Sequence, residues 1–387
     1  MKKKKIIILG STGSIGKSTL DIIKKDKKSF QVILLTANRN YKRLIKQAKE
    51  FKPKFVLIKN HKFYSKVKNE LKHAKVYSGD ISIQKIISSK VDFTMSAIVG
   101  LAGLQPTIDA IKLSKTVAIA NKESIICAWH ILSKLKKKYK TEILPVDSEH
   151  FSIRELTKNI KEDDIEEIII TASGGPFLNI PINKLKYVKP NQAINHPNWK
   201  MGKKISVDSA NMMNKVFELI EAYNFFGFKK NIYRILIHPQ SYVHSIVRFK
   251  NGLIKMILYN PDMKIPISNI LYNEKKPSIQ ISKIDPKKLN ELTFKEVNIK
   301  NFPSIKLIKK CLNEGFSAPI IANASNEVLV NLFLKNKIGF LDIVDNIQEI
   351  FKDKDFKKYA RRSTKSVKDI NIIDNWARLK TTNMCVR

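Results

Sequence analysis

Two carboxylates stand two residues apart in Asp147-Ser148-Glu149-His150. They follow Glu142–Val146, an apolar run that reads as a strand. In open α/β sheets, ligands bind beyond the carboxyl ends of the strands. There Asp147 and Glu149 would reach one hard cation, Mg²⁺ or Mn²⁺, which takes oxygen donors. The competing reading is local: Asp147 or Ser148 caps the next helix, with Glu149 in its first turn. On this fragment alone the local reading is the stronger.

Two more segments change the balance. Thr171-Ala172-Ser173-Gly174-Gly175-Pro176-Phe177 ends a strand in consecutive glycines, which suits close approach by a ligand. Ser209–Glu218 falls within one expected helix, Ser209–Tyr223, where Asn214 and Glu218 share a face. Ser209, Asn214 and Lys215 offer donors and charge for a phosphate, and Glu218 a third metal ligand. Met212, Met213 and Phe217 read as core. Between these segments, Asn195–Gly202 mixes polar and aromatic residues, Trp199 among them, with no period, as a mobile lid would.

A third cluster precedes all of these. Gly10-Ser11-Thr12-Gly13-Ser14-Ile15-Gly16 follows a strand and opens a helix, the setting of a dinucleotide fingerprint. Glycines let backbone N–H groups approach a pyrophosphate, and the helix N-terminus adds partial positive charge. The spacing is G-x-x-G-x-x-G. A P-loop also competes, because Gly16-Lys17-Ser18 ends like one, but Ser11 stands where its first glycine belongs. The second strand ends in Thr36-Ala37-Asn38-Arg39-Asn40, without the acid that would hold an NAD ribose. Arg39 would pair with a 2′-phosphate, so NADP(H) is the expected cargo. The alternative for Arg39 is an ordinary exposed loop cation.

The elements that must hold these residues alternate. Strands are expected near residues 5–10, 30–36, 55–58, 91–95, 116–120 and 142–146, with helices at 14–24, 41–51, 104–113 and 123–139. This predicts a Rossmann-like parallel sheet over residues 1–147. Beyond it, Ile165–Thr171, Tyr233–Ile237, His244–Phe249 and Leu253–Tyr259 read as strands of a central α+β catalytic domain, residues 148–272. The last two strands flank Lys250-Asn251-Gly252, a hairpin signal. A polar stretch, 273–300, reads as a linker, and 301–387 as a helical C-terminal domain with helices at 304–314, 318–334 and 341–351.

Length, 387 residues with 43% apolar, requires more than one domain. Three scattered cysteines exclude a disulfide framework and fit a reducing compartment. No apolar run reaches a membrane span, so a cytoplasmic protein is expected. The net charge of +38 suggests a nucleic-acid binder, but the lysines are spread over every helix and lack an aromatic platform. No specific nucleic-acid partner is expected.

Taken together, the motifs Gly10–Gly16, Ala120-Asn121-Lys122-Glu123-Ser124, Asp147–His150, Ser173–Phe177, His196–Gly202, Ser209–Glu218, His238-Pro239-Gln240-Ser241 and Pro261-Asp262-Met263 are similar to those of the 1-deoxy-D-xylulose 5-phosphate reductoisomerase family. The resemblance covers essentially the whole chain. It implies NADPH- and metal-dependent rearrangement and reduction of 1-deoxy-D-xylulose 5-phosphate to 2-C-methyl-D-erythritol 4-phosphate, in non-mevalonate isoprenoid synthesis. It implies Thr12, Gly13, Ser14, Ile15, Asn38, Arg39, Asn40, Asn121, Glu123 and Gly202 around NADPH. It implies Asp147, Glu149 and Glu218 on Mg²⁺ or Mn²⁺, and Ser173, Ser209, Asn214 and Lys215 on the substrate phosphate. Lys122, Ser148, Glu149 and His196 would contact the reacting carbons, with Lys122, Glu149 and His196 catalytic and Trp199 on the closing loop. A homodimer is also implied. Asn38 stands where many members have glycine. The rival enzyme is a metal-independent NADP dehydrogenase acting on another aldehyde; it would want a nucleophile such as Cys127, which instead lies in an apolar helix.

Overall fold

The computed structural model describes residues 2–199, 201–273, 280 and 283–385. The chain divides into two compact units. The first contains Met1–Ser124, Ala128–Phe151 and Met263–Ser282; the second contains Ile125–Cys127, Ser152–Asp262 and Lys283–Arg387.

The first unit is built on strands β1 (Lys4–Leu9), β2 (Phe30–Ala37), β3 (Phe55–Ile58), β4 (Lys75–Ser78), β5 (Val91–Ser96), β6 (Ser114–Ile119) and β7 (Glu142–Pro145). They form one parallel sheet in the order β4-β3-β2-β1-β5-β6-β7. Helices cover both faces of such a sheet, so its strands read as unbroken apolar runs. Ile6, Ile7, Ile8 and Leu9 are accordingly all fully buried. Helix Ser14–Lys25 buries Leu20, Ile22 and Ile23, and helix Tyr41–Phe51 buries Leu44 and Ala48, each leaving lysines outside. Strand order reverses between β1 and β5, which makes their carboxyl ends the switch point of the sheet.

Two features of this unit differ from the sequence reading. The edge strand β4 was not foreseen, because Lys75-Val76-Tyr77-Ser78 is short and only half-buried. Helix Lys264–Tyr272 also belongs here rather than with the rest of 148–272. Lys4 Nζ donates to Leu271 O at 2.9 Å and the Tyr272 hydroxyl to Asp26 at 2.8 Å. A return of the chain to an earlier unit leaves no local signal.

The second unit holds strands β8 (Ile165–Ala172), β9 (Tyr233–Ile237), β10 (Val243–Phe249), β11 (Ile254–Leu258) and β12 (Lys295–Glu296). The sheet runs β11-β10-β8-β9-β12, with β8 and β9 parallel and the other pairs antiparallel. Gly252, at φ +86°, turns the β10–β11 hairpin. Ile168, Ile170, Met212, Leu219, Val247 and Phe302 belong to one buried cluster behind the sheet. Within the expected linker, Lys295 and Glu296 pair with β9, so part of that stretch is sheet edge. Residues 274–279 and 281–282 of it lie outside the described residues.

The tail is helical: Lys306–Asn313, Ala318–Leu334, Asp342–Ile350, Phe356–Ala360 and Val367–Cys385. The last two were not separately foreseen. No described helix is long and apolar enough to cross a membrane.

The single helix expected over Ser209–Tyr223 is in fact two, Lys203–Ala210 and Met213–Phe226. Met212 between them takes a left-handed φ of +63°. The cause is Asn211, whose Oδ1 accepts the Met213 N–H at 3.0 Å and so starts a new helix. Ser209 and Asn214 therefore sit on different elements. Met212, Met213 and Phe217 are core, each no more than 1% exposed.

Candidate active site

The first unit gathers its candidate residues along one edge. Gly10–Gly16 follows β1, Asn38–Asn40 follow β2, Asn121–Glu123 follow β6 and Asp147–Glu149 follow β7, all at carboxyl ends of a parallel sheet.

The glycine turn is tight for stated reasons. Gly10 has φ +77°, and a Cβ there would lie 2.6 Å from Ala97 O, just past β5. A Cβ at Gly16 would lie 2.5 Å from Gly10 O, so helix Ser14–Lys25 sits directly on the turn. Gly13 has ordinary angles and starts that helix without a side-chain cap or an acid in the first turn. A helix start of this kind suits an anion. Thr12 and Ile15 are partly exposed, and Gly13 and Ser14 exposed.

Ser11 has a different duty. Its hydroxyl meets Gln47 at 2.9 Å, and Gln47 Nε2 donates to Ser11 O at 2.8 Å. Gln47 thus braces the turn from helix Tyr41–Phe51, a role the sequence reading missed. The available signal was a polar residue on that helix's apolar Leu44–Ala48 face. Asn40 caps the same helix by accepting the Arg43 N–H at 3.2 Å. Asn38 and Arg39 are exposed beside it, and Asn38 has no positive φ.

Asn121 caps helix Lys122–Tyr139, accepting the Ser124 N–H at 2.7 Å and donating to Gly100 O at 2.9 Å. Its cap places Lys122 and Glu123 in the first turn. Lys122 Nζ lies 2.9 Å from Asp147 Oδ2, with both side chains largely covered. Burial raises the Asp147 pKa, but the Lys122 ammonium, His150 and a hydrogen bond with Glu149 outweigh it. The carboxyl is held well below the usual range. Asp147 stands just before helix Ser148–Thr157, with Glu149 in the first turn and bonded by the Ser148 hydroxyl. Glu149 thus stands in the first turn as the local reading has it, while the Asp147 carboxylate lies on Lys122 and the Ser148 hydroxyl on Glu149.

The second unit collects Ser173, His196, Ser209, Asn214 and Lys215. Gly174 and Gly175, at φ +81° and +69°, turn the chain after β8. A Cβ on Gly175 would lie 2.8 Å from Ser209 O, so this turn packs on the end of helix Lys203–Ala210. Asn214 and Lys215 both contact Glu218, and Lys215 and Glu218 are buried.

His196 has a defined tautomer. Its Nδ1 accepts the N–H groups of Asn198 and Trp199 at 3.1 and 3.0 Å, so the proton belongs on Nε2. That Nε2–H donates to Ser173 Oγ at 2.9 Å. Burial and then the Lys215 charge lower its pKa to about 4. His196 is thus a neutral donor near pH 7.

The expected lid is docked on its own unit. Asn198 Nδ2 donates to Pro239 O at 2.6 Å and to Ser241 Oγ at 2.9 Å. Trp199 meets His244 edge-on at 5.9 Å, and His244 stacks on Tyr259 at 3.8 Å. The His238–Ser241 motif is therefore the loop's anchor. Lys200 lies outside the described residues, and Gly202 begins helix Lys203–Ala210.

A doubly wound sheet with a glycine turn at its switch point, and a lysine–carboxylate pair on the same edge, defines a nucleotide-dependent α/β enzyme. Three family models match in succession: 1-deoxy-D-xylulose 5-phosphate reductoisomerase over residues 6–129, its C-terminal domain over 143–226, and the DXP reductoisomerase C-terminal domain over 258–380. The 1-deoxy-D-xylulose 5-phosphate reductoisomerase of Pelagibacter ubique is 46% identical, over 99% of this chain and all of that one. A solved structure of the Zymomonas mobilis enzyme in complex with NADPH superposes with a TM-score of 0.91 at 37% identity, covering 99% of both chains. A DOX-P reductoisomerase in complex with NADPH, fosmidomycin and magnesium gives 0.92 at 33% identity, covering 99% of this chain and 98% of that one. This chain belongs to the 1-deoxy-D-xylulose 5-phosphate reductoisomerase family.

Proposed function

We propose that this chain catalyses the NADPH- and divalent-metal-dependent conversion of 1-deoxy-D-xylulose 5-phosphate to 2-C-methyl-D-erythritol 4-phosphate. One observation carries the reading. The glycine turn, the Asn121–Glu123 segment and the Lys122–Asp147 pair share the carboxyl edge of one sheet. A dinucleotide and a metal-held substrate need that proximity.

Thr12 to Ile15 receive the pyrophosphate, Asn38 to Asn40 the adenosine end, and Asn121, Glu123 and Gly202 border the cofactor. Asp147, Glu149 and Glu218 are the ligands for Mg²⁺ or Mn²⁺. Their chemistry fits, since they are hard oxygen donors and Asp147 stays ionised far below neutrality. When bound, the ion polarises ketone and hydroxyl oxygens, and NADPH supplies the hydride.

The chain does the rest. Ser173, Ser209, Asn214 and Lys215 hold the phosphate. Lys122 carries a positive charge to a developing oxyanion, beside Ser148 and Glu149. His196 offers Nε2–H as a neutral donor, and the Trp199 loop excludes water. A homodimer in the cytoplasm completes the proposal. The edge strand β11 supports it, since Ile254 and Met256 are exposed there and a second copy would cover them.

The test is NADPH oxidation with 1-deoxy-D-xylulose 5-phosphate and Mg²⁺ or Mn²⁺. Turnover that stops on chelation supports the reading. Turnover indifferent to chelation supports the metal-independent dehydrogenase instead. Folded protein without turnover refutes the reading.

A further inference from the structure

Helix Lys203–Ala210 has eight residues, too few to hold itself in water. It starts at Gly202 without a side-chain cap and stops before the left-handed Met212. Its rotation about its own axis is therefore set by what it is tied to. On one side the backbone of Gly175 lies against Ser209 O. Val207 and Ala210 are buried in the same helix, and its polar tie is Asp208, the residue before Ser209 and only 1% exposed. Its Oδ1 accepts from Asn326 Nδ2 at 2.8 Å, and its Oδ2 meets Lys204 Nζ at 2.8 Å. Lys204 in turn lies over the Phe217 ring at 5.3 Å, on the helix that carries Asn214 and Lys215. Asn326 is itself fully buried in helix Ala318–Leu334, and its Oδ1 has no hydrogen-bond partner among the described residues.

This network is a poor choice for stability alone. Apolar residues of the same volume commonly match or exceed a buried ion pair. An amide with one end unsatisfied costs more still. What the network does supply is direction. A roll of about 20° would carry a side-chain atom some 4 Å from the helix axis through more than ~1 Å. A shift of that size at a binding group is enough to impair function.

We propose that Asp208 and Asn326 are positioning residues for the substrate phosphate. Asn326, from the C-terminal helical segment, fixes Asp208 and so fixes the direction in which Ser209 points. The proposal rests on Ser209 as a phosphate ligand.

The test is steady-state kinetics of Asn326→Leu, which keeps the size and removes the donor. The KM for 1-deoxy-D-xylulose 5-phosphate rises about tenfold, the worth of a hydrogen bond to a charged group. The NADPH KM and the kcat/KM for unphosphorylated 1-deoxy-D-xylulose stay at wild-type values. Should Asn326→Leu fail to fold, Asn326→Ala, which removes the donor without adding bulk, carries the same expectation. An unchanged substrate KM or an equal loss with the unphosphorylated compound would overturn the proposal. Ser209→Ala separates the two levels. If it leaves the substrate KM unchanged, the phosphate reading itself fails. If it raises KM while the Asn326 variants do not, only the positioning proposal falls.

Discussion

At the scale of single residues, each position is decided by what its immediate neighbours permit. Gly10 and Gly13 look equivalent in sequence and are not equivalent in space. Gly10→Ala would place Cβ 2.6 Å from a carbonyl oxygen at φ +77°. Thermal unfolding should show a loss of at least about 1–3 kcal/mol from backbone strain alone. Gly13→Ala meets only a 3.4 Å contact, and stability should change by less than about 1 kcal/mol. Equal losses would show that the turn is not built this way. His196 gives a pH prediction. Its pKa falls from 6.5 to about 4, so protonation favours the unfolded chain. The stability it contributes is complete above pH 6.5 and is lost as pH falls from there through about 4. NMR should find the Nε2–H tautomer and a midpoint near 4; a midpoint near 6.5 would contradict the burial described. Glu218→Gln should weaken Mg²⁺ or Mn²⁺ binding at least about tenfold by calorimetry, and unchanged affinity would remove Glu218 from the ligand set.

At the scale of elements, periodicity identified the buried parallel strands because burial on both faces leaves an unmistakable apolar run. It was also enough for the β10–β11 hairpin, where Asn251-Gly252 names the turn. It failed where one side chain overrides a regular pattern. Nothing in the apolar spacing of 209–223 reveals that Asn211 starts a second helix and that Ser209 belongs to the first. Asn211→Ala removes that bond and should cost about 1 kcal/mol in urea unfolding. No loss would mean that Met212, rather than Asn211, sets the break. The candidate residues stood out for a related reason: they cluster just past strands, and the structure does put Asn121–Glu123 after β6 and Asp147–Glu149 after β7, although Ser11 and Asn121 also carry structural bonds. Gln47, Asp208 and Asn326 were not legible, because their partners are distant in sequence and visible only once the chain is folded.

At the scale of the whole molecule, the family is that of one overall reaction, a rearrangement followed by a reduction. The net charge of +38 is spread over the chain and adds a general pull on an anionic substrate. The rearrangement is what sets this reaction apart from simple reduction, so product structure tests it most directly. The enzyme should be supplied with NADPH carrying deuterium at its transferable position, Mg²⁺ and 1-deoxy-D-xylulose 5-phosphate, and the product examined by NMR. The expected product is a branched tetritol phosphate with one deuterium on the new hydroxymethyl carbon, formed by hydride addition to an aldehyde. An unbranched pentitol phosphate with deuterium at the former ketone carbon would contradict it.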